Sequence, residues 1–314
     1  MSAKKKILVT GATGFIGSHL VDYLAAAGHD VVATGRKAPS HDASNVRGLA
    51  LDLTDRAKVD EAIGAVKPDV VYHLAAQSLP GVAWKQPQVT IEANVIGTLH
   101  LLDAVLASKT SPTIEFFGSA SEYASNPETN KFIREDFPLE PSNPYALTKI
   151  AADHLCSLYQ RAHGMKIVTV RPFFIIGTRK IGDVTSDFAR SIVRIERGEK
   201  DRLGVGNLTA VRDFLDVRDA LRAFELIANR GESGNAYNVC SGRGLRVQEL
   251  LDMLVAHAKA KIDVRPSEAA MRPLDEPIRI GDPTRLIGLG WKAELPIDRA
   301  LGEILDYWRT RGPD

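Results

Sequence analysis

Ile7-Leu8-Val9-Thr10-Gly11-Ala12-Thr13-Gly14-Phe15-Ile16-Gly17 is the stretch that decides the fold. Its aliphatic run has no polar alternation, which predicts a parallel strand buried on both faces. Glycines follow at once, and His19-Leu20-Val21-Asp22-Tyr23-Leu24 then has helical periodicity, ending near Gly28. Glycine between strand and helix lets the backbone turn tightly and approach a pyrophosphate, whose charge is favoured at a helix N-terminus. Gly11, Gly14 and Gly17 are spaced Gly-x-x-Gly-x-x-Gly rather than as the commoner dinucleotide fingerprint; Thr13, Phe15 and Ile16 would line the same turn. A glycine turn with no ligand is the other reading, and the setting between strand and helix favours a nucleotide.

Val31-Val32-Ala33-Thr34 predicts the next strand, ending at Gly35-Arg36-Lys37. An acid here would hold the ribose 2′-hydroxyl of NAD, whereas Arg36 suits a 2′-phosphate. NADP(H) is therefore expected over NAD, with a solvated basic turn as the alternative. Gly48 to Leu51 predicts a third strand, placing Asp52 and Leu53 at the adenine edge. Val70 to Leu74 predicts a fourth, and Ala75 and Ala76 after it are small enough to let a cofactor pass. His73 reads as a hydrogen-bonded core histidine rather than a catalyst. Asn94, in a helix running to about Leu106, either braces the active site through its backbone or is a plain helix residue.

A fifth strand, Ile114 to Phe117, runs into Gly118-Ser119-Ala120-Ser121-Glu122-Tyr123. Open α/β sheets bind ligands beyond the carboxyl ends of their strands, where Ser119 should lie. Asn143-Pro144-Tyr145-Ala146-Leu147-Thr148-Lys149 opens an amphipathic helix, with Asn143 as cap and Pro144 in the first turn. Tyr145 and Lys149 share one helical face. A neighbouring ammonium favours phenolate, so the Tyr145 pKa is expected to fall towards the working pH. Tyr145 would then exchange a proton with a carbonyl/alcohol pair while Ser119 hydrogen-bonds the reacting oxygen.

Lys166 to Arg171 predicts a sixth strand. Alternating strand and helix signals over residues 1–172 predict an α/β, Rossmann-like, doubly wound parallel sheet. Helices near 186–197, 217–228 and 247–258, with short strands such as Ala236-Tyr237-Asn238-Val239, predict a smaller mixed α/β substrate-binding part over 173–314. That boundary is soft, and the chain is expected to cross it more than once.

The 314 residues are 44% hydrophobic and 25% charged with net charge +1, which gives no reason to expect nucleic-acid or anionic-membrane binding. Cys156 and Cys240 are too few for a disulfide framework, and no Cys/His cluster has metal spacing. Lys4-Lys5-Lys6 precedes only a short apolar run, and no apolar segment approaches a membrane span, so a cytoplasmic protein is expected.

Gly11-x-x-Gly14-x-x-Gly17, Asp52, Leu74-Ala75-Ala76, Ser119 and Tyr145-x-x-x-Lys149 occur in the order and spacing of the extended short-chain dehydrogenase/reductase superfamily. The chain resembles that superfamily from the glycine motif to the C-terminal helix. Asp183 to Ala189, Val205 to Phe214 and Tyr237 to Gly242 look most like the GDP-4-keto-6-deoxy-mannose reductases, relatives of GDP-mannose 4,6-dehydratase. The resemblance implies catalytic Ser119, Tyr145 and Lys149, the lysine also contacting the nicotinamide ribose. It implies that Arg212 and Arg272 hold the sugar-nucleotide diphosphate, as guanidiniums suit phosphate oxygens, with surface salt bridging as the alternative. Asp275 would bind the nucleotide ribose.

Two departures matter. The dehydratases carry a glutamate where this chain has Ser121, and dehydration needs an acid/base group near C5 and C6. Glu122 next door is the remaining candidate for that position. Phe174-Ile175 stands where relatives usually place Asn-His, altering contacts to the sugar side. The expected activity is NADPH-dependent reduction of the C4 ketone of a GDP-linked 4-keto-6-deoxy sugar. Alternatives are an epimerase or dehydratase that retains its dinucleotide, and a non-catalytic NADP sensor. Two apolar helices, near Asn94 to Leu106 and Tyr145 to Tyr159, could form a four-helix homodimer contact.

Overall fold

The aliphatic runs form the centre of one parallel sheet in a computed structural model that describes residues 4–126, 132–268 and 276–313. Its strands are β1 (Lys6–Thr10), β2 (Asp30–Gly35), β3 (Val46–Ala50), β4 (Val70–His73), β5 (Thr113–Phe117), β6 (Ile167–Pro172) and the Ala236–Val239 strand. From one edge the order is Ala236–Val239, β6, β5, β4, β1, β2, β3. Each neighbouring pair is parallel. β1 lies between β2 and β4, so the chain winds outward in both directions from it. The crevice at such a switch point is where open α/β sheets bind ligands.

Helices cover both faces, as continuous aliphatic strands require. Phe15–Ala26 and Val217–Arg230 bury Leu20, Leu24, Phe224 and Ile227 on one face. On the other, Arg56–Val66, Gly97–Ala107 and Pro144–His163 bury Ile63, Leu101, Leu102, Ala152 and Cys156. A separate core joins Val184–Glu196, Val247–Ala256 and Ile297–Arg311 through Ile192, Leu250, Leu301, Leu305 and Trp308. Ala236–Val239 lies beyond residue 172 and yet pairs with β6, so the sheet takes its seventh strand from the later part of the chain.

The register pairs Thr10 with His73. The His73 ring bridges the Thr10 hydroxyl (2.8 Å) and the Thr98 hydroxyl (2.9 Å). Thr10 Oγ1 accepts from the Ala75 amide (3.1 Å), and Thr98 Oγ1 donates to the Asn94 carbonyl (2.6 Å). This relay puts the imidazole proton on Nε2. Burial pushes the His73 pKa down to about 3, so the ring is a neutral core histidine.

The sequence expectation of no span-length apolar segment needs correction. Pro87–Ala107, 21 residues, is long and apolar enough to cross a membrane by length and composition. Glu92 and Gly97 interrupt the run in the sequence, which is why it reads as shorter. Its buried Asn94, Thr98, Leu101, Leu102 and Val105 make it a helix packed against the sheet.

Candidate active site

A cleft of about 1280 Å³ runs over the carboxyl ends of β1, β2, β4 and β5. It starts at the glycine turn. Gly11 has φ +69°, and a Cβ there would stand 2.8 Å from the Ala75 Cα. A Cβ on Gly17 would stand 2.2 Å from the Gly11 carbonyl oxygen. The turn therefore packs backbone on backbone, a cradle that side chains would fill. Gly14 caps the Phe15–Ala26 helix without a side-chain bond. The first-turn amides have no intrahelical acceptor and form a site for an anion.

Arg36 lies exposed on the same wall, beside Asp52. Bonds from the Thr54 amide (3.0 Å) and hydroxyl (2.8 Å), with Arg36 adding to them, hold the Asp52 carboxyl below its usual range. All the expected cofactor residues line this cleft: Gly11, Thr13, Gly14, Phe15, Ile16, Gly17, Arg36, Asp52, Leu53, Leu74, Ala75, Ala76, Tyr145 and Lys149. The backbone cradle, the open helix N-terminus and the cation fit a dinucleotide with a 2′-phosphate.

Helix Pro144–His163 delivers the polar side chains. Asn143 Oδ1 accepts from the Ala146 amide (3.0 Å), and Pro144 occupies the first turn. The half-buried Tyr145 lines the cleft together with Ser119, whose side chain acts on its phenol. The buried Lys149 ammonium donates to the Phe117 carbonyl (2.6 Å) and sits 5.1 Å above the Phe116 ring. The expected acidification of Tyr145 is not seen in this geometry. Burial pushes the phenol up to about 12, helped by Glu122 and opposed by the Ser119 bond. Helical spacing puts both groups on one face, but the lysine stem carries its charge on to the end of β5. Burial in turn pulls Lys149 down to about 8, against the carboxylates of Glu122 and Asp153.

Ser119 Oγ accepts from the Ser121 amide (3.1 Å) and the Ser121 hydroxyl (2.8 Å). Neither Ser121, half-buried, nor Glu122 is among the residues lining the cleft. Glu122 is fully buried, accepting from the Ser119 amide (2.6 Å) and from Arg171 Nε (3.1 Å). Phe174 and Arg212 do line the cleft, the guanidinium 5.5 Å above the Phe174 ring. Arg272 and Asp275 lie outside the described residues. No group of three His, Cys, Asp or Glu could hold a metal ion among the described residues.

Two contributors were missed or misread in the sequence. Lys180 lines the cleft beside the glycine turn, its ammonium 5.3 Å above the Phe15 ring and 3.0 Å from Asp183. The basic Arg179-Lys180 pair just after Gly177 was its signal. Asn94, in a π-helical turn (Glu92–Ile96), braces the site through its side chain rather than its backbone. It accepts from the Gln77 amide (2.7 Å) and donates to the Gln77 carbonyl (3.1 Å) and Thr148 Oγ1 (2.9 Å).

Residues 8–304 match the family model described as GDP-mannose 4,6 dehydratase. The chain belongs to the GDP-mannose 4,6-dehydratase family. It is 35% identical over 310 residues to a GDP-6-deoxy-D-mannose reductase of Pseudomonas aeruginosa, covering 98% of each chain. The structure of RMD from Pseudomonas aeruginosa complexed with NADPH superposes with TM-score 0.86 at 34% identity, covering 98% of this chain and 100% of that one. A UDP-glucose 4-epimerase of Thermus thermophilus, in complex with NAD, has TM-score 0.87 at 28% identity over 97% of this chain and 99% of that one. Family membership makes the chain a nucleotide-sugar oxidoreductase of the extended short-chain dehydrogenase/reductase type. Within this family fold, one cleft joins the glycine turn, the Ser119–Tyr145 pair and Arg212.

Proposed function

We propose that the chain reduces the C4 ketone of a GDP-linked 4-keto-6-deoxy sugar with NADPH. One observation carries the reading: Tyr145 and Ser119 together line a cleft continuous from the glycine turn and Arg36 to Phe174 and Arg212. The Pseudomonas aeruginosa relatives, a GDP-6-deoxy-D-mannose reductase and an NADPH-bound structure, support the choice of substrate and cofactor.

When bound, NADPH supplies the hydride. Burial keeps the Tyr145 phenol protonated at neutral pH, which is the state a ketone reduction consumes. Tyr145 gives that proton to the forming alkoxide, and the Ser119 hydroxyl stabilises the developing charge. Lys149, held at the end of β5, would contact the nicotinamide ribose. Arg36 takes the 2′-phosphate, and Arg212 with Arg272 takes the substrate diphosphate, Asp275 binding the nucleotide ribose.

Arg36 suits NADP(H) and so leans against an epimerase that retains NAD. Ser121 at the dehydratase glutamate position, with Glu122 turned away from the cleft, speaks against dehydration. Exposed Leu147 and Leu158 on Pro144–His163, with Ile96 and Leu106 on the neighbouring helix, support a four-helix homodimer. We place the enzyme in the cytoplasm, without nucleic-acid or membrane partners, on its near-neutral charge.

The test is NADPH oxidation with GDP-4-keto-6-deoxy-mannose, repeated with Tyr145→Phe. The variant should lose roughly 10²–10⁴-fold in kcat while binding NADPH normally. Undiminished turnover would reject the assigned role, and cofactor that co-purifies without net consumption would favour the epimerase.

A further inference from the structure

Glu122, bonded to the Ser119 amide, is a buried titratable group that the mechanism above does not use. Its carboxylate is fully buried, as is the guanidinium it meets, Arg171 on β6. Arg171 Nη2 continues to Asp153 (2.6 Å), one helical turn beyond Lys149. Asp153 Oδ1 accepts from the Thr169 hydroxyl (2.7 Å). Arg171 Nη1 reaches the Tyr123 hydroxyl (3.1 Å) and the Glu135 carbonyl (3.2 Å). Gly118 makes the room, since a Cβ there would stand 2.5 Å from Glu122 Oε1.

The simplest account makes Glu122 only the return half of a capping box on the three-residue Ala120–Glu122 turn. A capping box is ordinarily solvated and has no need of a buried charge, which costs several kcal/mol to desolvate, as an order of magnitude. Four groups are buried together here, Glu122, Asp153, Arg171 and Lys149, two of each sign. Burial pushes the Glu122 carboxyl up to about 8, opposed by Arg171 and Lys149, and pulls Lys149 down to about 8, opposed by Glu122 and Asp153, so each helps to hold the other's charge. Neutralising Glu122 leaves two cations facing one anion.

We propose that Glu122 is a positioning residue, fixing the Ser119 loop through its amide and balancing the Lys149 ammonium from behind the cleft. This rests on the reductase reading for its consequence in turnover, but the charge balance can be measured without turnover. The groups facing the cluster are Tyr123 and Glu135 beside Arg171, and Tyr145, Cys156 and His73 beside Lys149. None of these adds a buried negative charge to replace Glu122: the phenols and thiol stay protonated, the imidazole stays neutral, and Glu135 lies beyond Arg171.

The experiment is the pH dependence of Lys149 acetylation by acetic anhydride in the ligand-free protein, read by peptide mass spectrometry. Glu122→Gln keeps the shape and an acceptor for the Ser119 amide but removes the charge. Its Lys149 midpoint should fall by about one pH unit or more. An unchanged midpoint in folded Glu122→Gln overturns the proposal, whatever substrate the enzyme proves to use. Should that variant fail to fold, Gly118→Ala pushes the carboxylate aside while keeping its charge. A kcat lower by about tenfold or more, with KM within about twofold, supports the positioning role; native kcat overturns it. Parent protein that titrates at Lys149 as expected yet never oxidises NADPH would fault the reductase reading instead.

Discussion

Alanine at Gly17 and alanine at Gly14 should have different consequences, although the two lie in one motif. The Gly17 Cβ would stand 2.2 Å from the Gly11 carbonyl oxygen and 2.9 Å from its carbon. Gly11 cannot withdraw, because its own Cα faces the Ala75 backbone at the distance where a Cβ would meet it at 2.8 Å. Something must therefore move by roughly 1 Å, and overpacking of that kind costs about 1–3 kcal/mol. For a chain of this size that is a fall in Tm of roughly 2–5 °C without any ligand. Gly14 has φ −76° and ψ 173°, which any residue adopts, and its Cβ would meet only the Gly11 oxygen at 3.2 Å. Gly14→Ala should leave the ligand-free Tm within about 1 °C, yet weaken NADPH about tenfold or more by standing between the helix N-terminus and the pyrophosphate. The assays are thermal melting of the ligand-free protein and fluorescence titration with NADPH. The reasoning fails if both variants melt alike, or if Gly14→Ala binds NADPH as the parent does.

Other consequences can be checked independently. Arg36→Ala should raise the Kd for NADPH by about tenfold or more and leave that for NADH unchanged, since one charge-assisted contact is worth about 1.5–3 kcal/mol; equal weakening of both would remove Arg36 from the 2′-phosphate. kcat/KM should fall as pH rises past about 8, where Lys149 of the free enzyme loses its proton, and a flat profile to about pH 10 would contradict that placement. Glu115, fully buried with neither carboxyl oxygen bonded, has its pKa raised by burial. The folded state then keeps a proton that the unfolded state releases, so stability falls as pH climbs from the unfolded pKa towards the folded one, by up to about 1.4 kcal/mol per pH unit. Glu115→Met should remove that slope, and its gain in urea-unfolding stability should be larger at about pH 8 than at about pH 5.5; the same gain at both would show the carboxyl is not protonated in the fold.

Much of the fold was legible because it is written locally. Ile7-Leu8-Val9 and Val31-Val32-Ala33 could only be strands covered on both sides, and the glycines between strand and helix are required by contacts only a few ångströms away. Strand ends moved by a residue or two, as β3 did from the expected Gly48 to Val46. Ala236-Tyr237-Asn238-Val239 was legible as a strand but not as a member of the large sheet. Its partner is β6, more than sixty residues earlier, and nothing in four residues records which sheet edge they will meet. The length of the apolar Pro87–Ala107 helix was hidden for a related reason. Glutamate and glycine break the run on paper, while the helix continues through them by way of a π turn.

The candidate site divides along the same line, between where a residue sits and what surrounds it. Spacing placed Ser119, Tyr145 and Lys149 on one rim correctly, because strand ends and helical faces follow from position in the chain. It could not say that Lys149 would spend its ammonium on the Phe117 carbonyl, and so it assigned Tyr145 an acidity the geometry does not supply. Glu122 is the sharper case. An acid beside a reactive serine invites a chemical role facing the substrate, and in an extended strand it could have had one. Ala120–Glu122 is instead a 3₁₀ turn, in which residues three apart eclipse one another. Glu122 is thereby folded back over Ser119, its carboxylate on the serine's own amide and its far oxygen on Arg171. One turn of backbone thus moves a carboxyl group from the substrate side of the serine to the protein side, where burial pushes it up to about 8 and it faces Arg171 and Lys149 rather than the sugar.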